Sequence, residues 1–329
     1  MMTDMPASAA AWSKAGAYFS WRSTLVENAR FNALNIFSIR RGNPVNPGIL
    51  LIHGYPTSSR DFAELAKELS RDFYVCALDT PGYGFSDKPR KGFRFSIFDD
   101  ARLVDYFVRE FAGLKNFVLV THDKGDSVGL ALLQIYQSYG EKPYTISHHV
   151  ITNGNIWLPL AHLSTMQKAL LSPITGPILS TLLSPSLLAK GLARATYSPS
   201  LGAEETAALA SIFAYQDGTK VEHEIIKYLN ERKANESAWL ETLQRSDIPT
   251  TLVWGERDKI APTAVADYVW TNYLKTRPIP ATYWRVPAAN HYIQHDQPQA
   301  LAAIIRKAVG ASRGPGGVAG ARLEDSVTP

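Results

Sequence analysis

The sequence has little cysteine and no long apolar run, and its first residues do not resemble an export signal. Cys76 is the single cysteine among 329 residues, which excludes an internal disulfide bond, and its place in the apolar run 73–78 predicts a buried, unreactive thiol. No uninterrupted apolar run reaches the roughly 20 residues needed to cross a bilayer. The first residues, M-M-T-D-M-P-A-S, lack the basic start and apolar core of a signal peptide. We therefore expect a cytoplasmic protein without a transmembrane segment.

The sequence also lacks a concentration of positive charge. The chain carries 34 Lys and Arg residues against 30 Asp and Glu residues, a formal net charge of +4. The basic residues are scattered and form no stripe interleaved with aromatic residues. Nucleic acid is therefore not an expected partner.

The sequence does contain short β-rich runs that alternate with helical patterns. Strands are predicted at Ala33–Ile39, Gly48–His53, Phe73–Asp79, Phe117–Thr121, Ile146–Thr152, Thr250–Trp254 and Ala281–Val286. Helices are predicted at Asp61–Leu69, Phe98–Phe111, Ser127–Tyr139, Pro262–Tyr273 and Pro298–Val309. This alternation predicts an α/β fold with a mostly parallel central sheet and helices on both faces.

The alternation stops once, over a helical and Pro-punctuated region that we interpret as an inserted cap. The predicted organisation is a first part of the α/β core at 1–154, a helical cap at 155–246 and a second part of the core at 247–310. The last segment, 311–329, is rich in Gly and polar residues, which predicts a flexible tail.

The most apolar zone of the predicted cap, Ala169–Ala193, is interrupted by Pro173, Pro177 and Pro185. These breaks predict short helices that cover a pocket. A peripheral contact with a membrane surface is the alternative interpretation of the same segment.

Two overlapping patterns compete for the role of nucleophile in F-V-L-V-T-H-D-K-G-D-S-V-G, residues 117–129. Gly125–Gly129 matches G-x-S-x-G with Ser127 at its centre, whereas Thr121–Gly125 has the same shape with Asp123 at its centre. Both patterns are forms of the nucleophile elbow, a strand–turn–helix motif in which the nucleophile sits on the turn between the strand and the helix. Asp123 follows the apolar run 117–120 by three residues, so its position favours Asp123 over Ser127 as the nucleophile.

The serine pattern has a simpler explanation as the start of a helix. An acid such as Asp126 is favoured in a first helical turn by the free amides and the helix dipole. Ser127 would then be an ordinary helix residue whose hydroxyl lies past the strand edge. A serine-type esterase acting through Ser127 remains the alternative.

An acid and a histidine follow the predicted nucleophile in the order expected of this elbow. Asp258 comes after the strand Thr250–Trp254, and His291 comes after the strand Ala281–Val286. Asp258 would orient His291, which could then draw a proton from water. The rivals are Glu256 as the acid and His295 as the histidine.

Two glycine-containing motifs end the neighbouring strands. His53-Gly54-Tyr55-Pro56 supplies a loop beside the elbow, where the backbone amides of Tyr55 and Lys124 could form an oxyanion hole. D-T-P-G-Y-G-F-S, residues 79–86, follows the next strand and is interpreted as a structural turn.

These motifs resemble the α/β-hydrolase superfamily, in particular its epoxide hydrolases and haloalkane dehalogenases. The resemblance covers about 31–309 and includes H-G-Y-P at 53–56, D-T-P-G-Y-G-F-S-D at 79–87, H-D-K-G at 122–125 and N-H-Y at 290–292. The stretches H-D-K-G-D-S-V-G-L and K-Y-L-N-E-R-K also resemble the mesoderm-specific transcript proteins of that superfamily.

The resemblance implies hydrolysis through a covalent ester on Asp123. A carboxylate can displace a leaving group from saturated carbon, and water activated by His291 would then attack the ester. The expected partners are a small apolar or amphipathic organic substrate and water, with no cofactor and no metal ion.

The resemblance also favours an epoxide as the substrate. Haloalkane dehalogenases commonly hold the halide with a tryptophan after the nucleophile and an asparagine in the H-G-x-P loop, where this chain has Lys124 and Tyr55. Epoxide opening needs a proton donor, which in the resembling hydrolases is a cap tyrosine. Of Tyr197, Tyr215 and Tyr228, the candidates are Tyr228 and then Tyr215.

Other interpretations stay open at this point. Lys124 could bind a substrate carboxylate, as the arginine after the nucleophile does in fluoroacetate dehalogenases, or could pair with Asp123 and weaken its attack. A haloalkane or haloacid dehalogenase is therefore an alternative. A non-catalytic interaction protein that uses the apolar segment Ala169–Ala193 as its contact surface is another.

Overall fold

A computed structural model of the protein describes residues 5–310 and 318–327 and contains one nine-stranded sheet. Its strands are β1 (Ala17–Trp21), β2 (Leu34–Arg41), β3 (Gly48–Ile52), β4 (Tyr74–Leu78), β5 (Asn116–His122), β6 (Thr145–Thr152), β7 (Thr250–Gly255), β8 (Ala281–Val286) and β9 (Arg322–Val327). The spatial order is β1-β2-β4-β3-β5-β6-β7-β8-β9. The strands from β4 to β8 pair in parallel, and β1, β2 and β9 pair antiparallel at the two sides.

The central strands are apolar on both faces because both faces are covered. In β3, Leu50 and Ile52 join one hydrophobic cluster, whereas Ile49 and Leu51 join a second cluster on the opposite face. This arrangement is typical of parallel sheets. Cys76 in β4 is fully buried, as predicted, and burial raises the pKa of its thiol to about 12.

Helices fill the connections between the strands. They are α1 (Ala7–Ala15), α2 (Ala63–Leu69), α3 (Ile97–Tyr106), α4 (Lys124–Ser138), α5 (Thr165–Leu171), α6 (Thr175–Leu182), α7 (Pro185–Ala195), α8 (Ala203–Ala214), α9 (Glu222–Ile225), α10 (Tyr228–Arg245), α11 (Thr263–Val269), α12 (Ile293–Asp296) and α13 (Pro298–Ala308). Wider helical turns at Phe107–Ala112 and Trp270–Leu274 prolong α3 and α11. The predicted α/β class is confirmed, and each predicted strand lies within two residues of an observed one.

Six helices, α5 to α10, lie between β6 and β7, where the sequence predicted an insertion. The longest of them, α10, packs against α4, and its Trp239 ring lies 5.5 Å from the ring of Phe98. These helices therefore extend over the end of the sheet at which the elbow residues lie. No helix within residues 5–310 and 318–327 has the length and apolarity to cross a membrane.

Both ends of the chain contribute strands that the sequence patterns did not predict. At the N-terminal side β1 pairs with β2. At the C-terminal side β9 pairs with β8, so the predicted flexible tail is wrong over Arg322–Val327. Its polar residues have partners at the sheet edge, since Asp325 accepts hydrogen bonds from Trp270 Nε1 and Lys275 Nζ, both at 2.9 Å. The rest of the predicted tail, at 311–317 and 328–329, lies outside the described residues.

Candidate active site

The candidate nucleophile Asp123 occupies the single residue between β5 and α4. Its backbone has φ 50° and ψ −113°, a conformation that non-glycine residues seldom adopt. Gly125 allows the tight turn, because a Cβ atom there would lie 2.3 Å from the carbonyl oxygen of Ile52. The sharp bend therefore falls at Asp123, and Ser127 lies inside α4.

The carboxylate of Asp123 contacts the loop that carries the H-G-Y-P motif. The backbone amide of Tyr55 donates to Asp123 Oδ2 at 2.9 Å. Gly54 permits this approach, since a Cβ atom there would lie 2.6 Å from Asp123 Cβ. Lys124, whose amide is the second predicted oxyanion donor, is the first residue of α4.

His291 and Asp258 form a buried pair in the loops after β8 and β7. His291 Nδ1 lies 2.8 Å from Asp258 Oδ2. The other oxygen, Asp258 Oδ1, accepts from the backbone amides of Ile260 at 2.8 Å and Ala261 at 3.0 Å. The structure thus places Asp258 against His291, as the sequence predicted.

Asn153 is a further member of this group that the sequence reasoning missed. It follows β6, and its Nδ2 donates to Asp258 Oδ2 at 2.9 Å while its Oδ1 accepts from the amide of Gly255 at 2.8 Å. Its φ of 31° is unusual for a residue other than glycine. The available signal was its position directly after a predicted strand, at the same sheet edge as Asp123 and Asp258.

The rival residues lie elsewhere. Glu256 accepts from Arg322 Nη2 at 3.1 Å at the border of the sheet. His295 stands with its ring edge-on to Tyr197, 5.1 Å between centroids, and lines a separate surface cavity with Arg60. Among the described residues, neither Glu256 nor His295 forms a hydrogen bond with His291 or Asp258, so neither replaces a member of this pair.

The charge state of His291 depends on the carboxylates around it. Burial alone would lower its pKa, but Asp258, and then Asp123 and Asp126, raise the pKa of His291 to about 9. A pKa of about 9 means that the imidazole is protonated at neutral pH.

Asp123, Tyr55 and His291 line one cavity of about 440 Å³. The rest of its wall comes largely from aliphatic side chains of the cap, namely Leu170, Leu179, Leu182, Leu183, Leu187, Leu188 and Leu192. Such a wall suits an alkyl or aryl group and offers few hydrogen bonds. The cavity brings this apolar wall directly to the carboxylate and the imidazole.

The serine of the G-x-S-x-G pattern is engaged in a different contact. Arg232 of α10 is fully buried, and its Nε donates to Ser127 Oγ at 2.8 Å while its Nη2 donates to the Asp123 carbonyl oxygen at 2.9 Å. Asp126 lies in the first turn of α4 as predicted, but it is fully buried, and burial raises its pKa well above the usual range.

Lys124 does not pair with Asp123. Its ammonium group forms a buried ion pair with Asp100 of α3, donates to Thr80 Oγ1 at 3.3 Å and lies 4.4 Å from the centre of the Tyr83 ring. The hypothesis that it pairs with Asp123 is therefore wrong. Its side chain is also not part of the cavity wall, which removes it as a ligand for a substrate carboxylate there.

The candidate tyrosines lie in different places. Tyr228 is buried at the start of α10 with its ring 5.7 Å from that of Tyr55, and burial, followed by the charge of Asp123, raises its pKa. Tyr215 packs 5.2 Å from the Phe85 ring. Neither tyrosine is part of the cavity wall, but Tyr228 is close enough to Asp123 for that charge to act on its phenol, so the structure favours Tyr228 over Tyr215 as the donor. Tyr197 is stacked on Tyr292 at 4.4 Å.

The turn after β4 has the structural role that the sequence suggested. Asp79 accepts from the backbone amides of Ser59 and Phe85, both at 2.8 Å. Gly82 and Gly84 have positive φ values of 90° and 51°. Within residues 5–310 and 318–327 no group of three or more His, Cys, Asp or Glu residues could hold a metal ion.

A strand, a sharp turn at an acid and a helix, with a second acid and a histidine after later strands, define the class as an α/β-fold hydrolase. Similarity to known proteins supports this class, since residues 47–166 match the family model described as alpha/beta hydrolase fold. LipZ of Mycobacterium tuberculosis strain H37Rv, whose name classes it as a hydrolase, is 34% identical over 266 residues, which cover 80% of this chain and 88% of LipZ. The chain belongs to the α/β-hydrolase family.

Two further relatives are consistent with the resemblance read from the motifs. The mesoderm-specific transcript protein of Mus musculus is 33% identical over 221 residues, 65% of each chain. The crystal structure of the haloalkane dehalogenase DbeA from Bradyrhizobium elkani superimposes with a TM-score of 0.70 over 90% of this chain and all of DbeA, at 20% identity. At that identity the likeness to DbeA shows the shared fold.

Proposed function

We propose that the protein is an epoxide hydrolase that works through a covalent ester on Asp123. One observation supports this above all others: a carboxylate at the bend, bonded by the Tyr55 amide, shares one apolar cavity with a histidine that is paired to Asp258. A carboxylate needs no base to become a nucleophile.

In the first step an oxygen of Asp123 attacks a carbon of the epoxide ring. The ring carbon–oxygen bond breaks, and the ring oxygen takes the phenolic proton of Tyr228. The raised pKa of Tyr228 keeps its phenol protonated until the alkoxide forms. The products of this step are an alkyl ester on Asp123 and a tyrosinate at Tyr228.

Formation of the ester changes the protonation of His291. Asp123 loses its negative charge when it becomes an ester, so one of the charges that raise the pKa of His291 disappears. The imidazolium can then return a proton to the tyrosinate at Tyr228. A neutral imidazole, still held by Asp258, is left to act on water.

In the second step water attacks the carbonyl carbon of the ester and His291 takes its proton. Negative charge develops on the aspartyl oxygen, which the Tyr55 and Lys124 amides would stabilise. Collapse of this intermediate breaks the ester bond and leaves a carboxylic acid on Asp123, whose proton passes to the departing alkoxide to give a diol while His291 stays protonated. Asp123 is ionised again, and the overall reaction is epoxide plus water to diol.

Other substrates fit the site less well. Expulsion of a halide would follow the same first step, but neither Tyr55, which presents its amide to Asp123, nor Lys124, which pairs with Asp100, offers the usual halide-binding side chain. Haloacid recognition would need a free cation in the cavity wall. A serine esterase would need Ser127 Oγ near His291, whereas this hydroxyl contacts Arg232.

A substrate panel tests the proposal. We expect saturable hydrolysis of styrene oxide and of a long-chain terminal epoxide, with no turnover of a bromoalkane or fluoroacetate. Turnover of a p-nitrophenyl ester that persists in Asp123→Asn would instead indicate a serine esterase. Halide release without diol formation would indicate a dehalogenase, and no turnover of any of the five compounds would favour a non-catalytic interaction protein.

A further inference from the structure

Helix α6 exposes aliphatic side chains on one face. Ile174, just before the helix, and Ile178 and Leu182 within it are spaced four residues apart, so they share one face, and they are 77%, 62% and 77% exposed. On the inner side Ser180 is buried and donates from Oγ to the carbonyl oxygen of Thr219 at 2.6 Å. An ordinary surface helix turns its apolar face to the core, so this exposed aliphatic stripe is unusual.

This exposed stripe is continuous with the mouth of the cavity. Met166 and Leu187 of the neighbouring helices are 41% and 68% exposed, and both line the cavity that contains Asp123, as does Leu182. We call the set Met166, Ile174, Ile178, Leu182 and Leu187 the cap face. Three members of the cap face thus line the cavity that contains the Asp123 carboxylate, and the other two continue the same stripe along α6.

Only positive charge accompanies the cap face in the sequence. No Asp or Glu residue occurs between Glu141 and Glu204, a stretch that includes α5, α6 and α7. These three helices carry Lys168, Lys190 and Arg194, all of them exposed. Positions three and seven residues after Leu187 lie on its side of the helix, so Lys190 and Arg194 flank the apolar surface.

We propose that the cap face docks on a lipid bilayer with anionic headgroups, which places the cavity entrance at the membrane surface. Contiguous apolar surface of this kind marks an interaction site. Aliphatic residues that enter the acyl boundary, together with Lys and Arg that attract anionic headgroups, are the two components of peripheral membrane binding. Docking does not depend on the proposed function, whereas delivery of an amphipathic substrate from the bilayer does.

The chemistry of the cap face fits lipid better than protein. Protein interfaces are enriched in Tyr, Trp, Phe and Arg at their centre and supply hydrogen bonds across the contact. The cap face consists of aliphatic and thioether side chains. A second copy of this chain would also bring Lys190 and Arg194 towards the same cations of its partner, with no acid on these helices to offset the repulsion.

Vesicle flotation tests the proposal. The probes are vesicles of pure phosphatidylcholine and of phosphatidylcholine mixed with phosphatidylglycerol. The wild-type protein should bind the mixed vesicles more tightly, and added salt should weaken this binding. The variant Ile174→Gln/Ile178→Gln, which changes no residue of the cavity wall, should bind them on the order of tenfold more weakly.

The chain offers a matched control. Val26 and Val45 are 87% and 85% exposed and lie outside the cap, so Val26→Gln/Val45→Gln removes a comparable apolar surface and should bind vesicles as the wild type does. Lys190→Gln/Arg194→Gln should lose the preference for anionic vesicles. Thermal unfolding of each variant verifies that it is folded.

Three outcomes would overturn the proposal: no binding of the wild type to either vesicle, equal binding of Ile174→Gln/Ile178→Gln, or self-association of the wild type that this variant abolishes. The last would assign the cap face to contacts between copies of the chain. Asp123→Asn separates docking from catalysis, because it should bind vesicles normally. Normal docking with no epoxide turnover in the wild type would leave docking intact and reject the proposed function.

Discussion

Arg232 donates a 2.8 Å hydrogen bond from Nε to the hydroxyl oxygen of Ser127, in the buried region between the cap and the elbow. The same guanidinium donates to the carbonyl oxygen of Asp123, so one cap side chain binds both competing nucleophiles in different ways. The guanidinium contacts the side chain of the serine but only the backbone of the aspartate. The carboxylate of Asp123 is left facing the cavity, and the serine hydroxyl is not.

The first prediction concerns the two nucleophile candidates. Asp123→Asn should lose turnover by about 10⁴-fold or more, since a neutral amide cannot form the ester. Ser127→Ala should retain turnover and lose about 1–3 kcal/mol of unfolding free energy, because Arg232 is left with an unpaired buried donor. Steady-state kinetics and urea unfolding measure the two effects. The opposite pattern of activities would make Ser127 the nucleophile.

The second prediction concerns the covalent intermediate. His291→Gln should still form the ester on Asp123 but should hydrolyse it very slowly, because no base activates the water. Intact-protein mass spectrometry after incubation with an epoxide should show an increase equal to the mass of the whole epoxide. Asp123→Asn is the negative control. Rapid turnover by His291→Gln would exclude His291 as the base.

The third prediction concerns the proton donor and has a matched control in the cap. Tyr228→Phe should lower kcat on an epoxide by about 10²–10⁴-fold, since general acid catalysis is lost. Tyr215→Phe removes the same atom from a ring that packs on Phe85, and it should be as active as the wild type. Equal kinetics for the two variants would show that another group donates the proton.

The fourth prediction concerns the dependence of stability on pH. The folded-state pKa of His291 is about 9, above its value of roughly 6.5 in an unfolded chain. Its charge therefore stabilises the fold fully below pH 6.5, and this contribution of about 3 kcal/mol is lost as pH rises to 9. Urea unfolding at several pH values should show this decline in the wild type.

The control for this measurement is His291→Gln, which should show a flatter dependence. Burial raises the pKa of Asp61 to about 7 and that of Glu222 to about 8, so these carboxyl groups titrate in the same range. They are present in both proteins and cancel in the comparison. Parallel curves for the wild type and the variant would contradict the raised pKa of His291.

The fifth prediction concerns the buried ion pair of Lys124 and Asp100. Lys124→Met should cost about 3–5 kcal/mol of unfolding free energy, because it leaves Asp100 buried without a cation. The double variant Lys124→Met/Asp100→Leu should recover most of this loss, since no charge remains to be compensated. Urea unfolding of the single and double variants measures the coupling, and additive losses would contradict it.

The sequence predicted the central sheet and the elbow because their signals are local. The short, continuous apolar runs of β3, β4 and β5 are typical of strands that are covered on both faces of a parallel sheet. The position of Asp123 follows from where one of these runs ends. Asp258 and His291 follow neighbouring strands in the same way, which explains why their pairing could be predicted although they lie 33 residues apart.

The features that the sequence did not predict depend on distant contacts. The choice between Tyr215 and Tyr228 could not be made from spacing, because Gln216 and Asp217 adopt positive φ values of 49° and 54° and redirect the chain after α8. The partner of Lys124 is 24 residues away on another element. β9 was missed because an exposed edge strand needs no alternation of apolar residues.

The position of β9 affects how the folded protein behaves towards its neighbours in solution. Without β9, the strand A-T-Y-W-R-V of β8 would present unpaired backbone groups and apolar side chains to other molecules, which is a template for aggregation. β9 pairs with these backbone groups, and the new edge of the sheet carries the charged residues Arg322, Glu324 and Asp325. The polar end of the chain thus protects the sheet from edge-to-edge association.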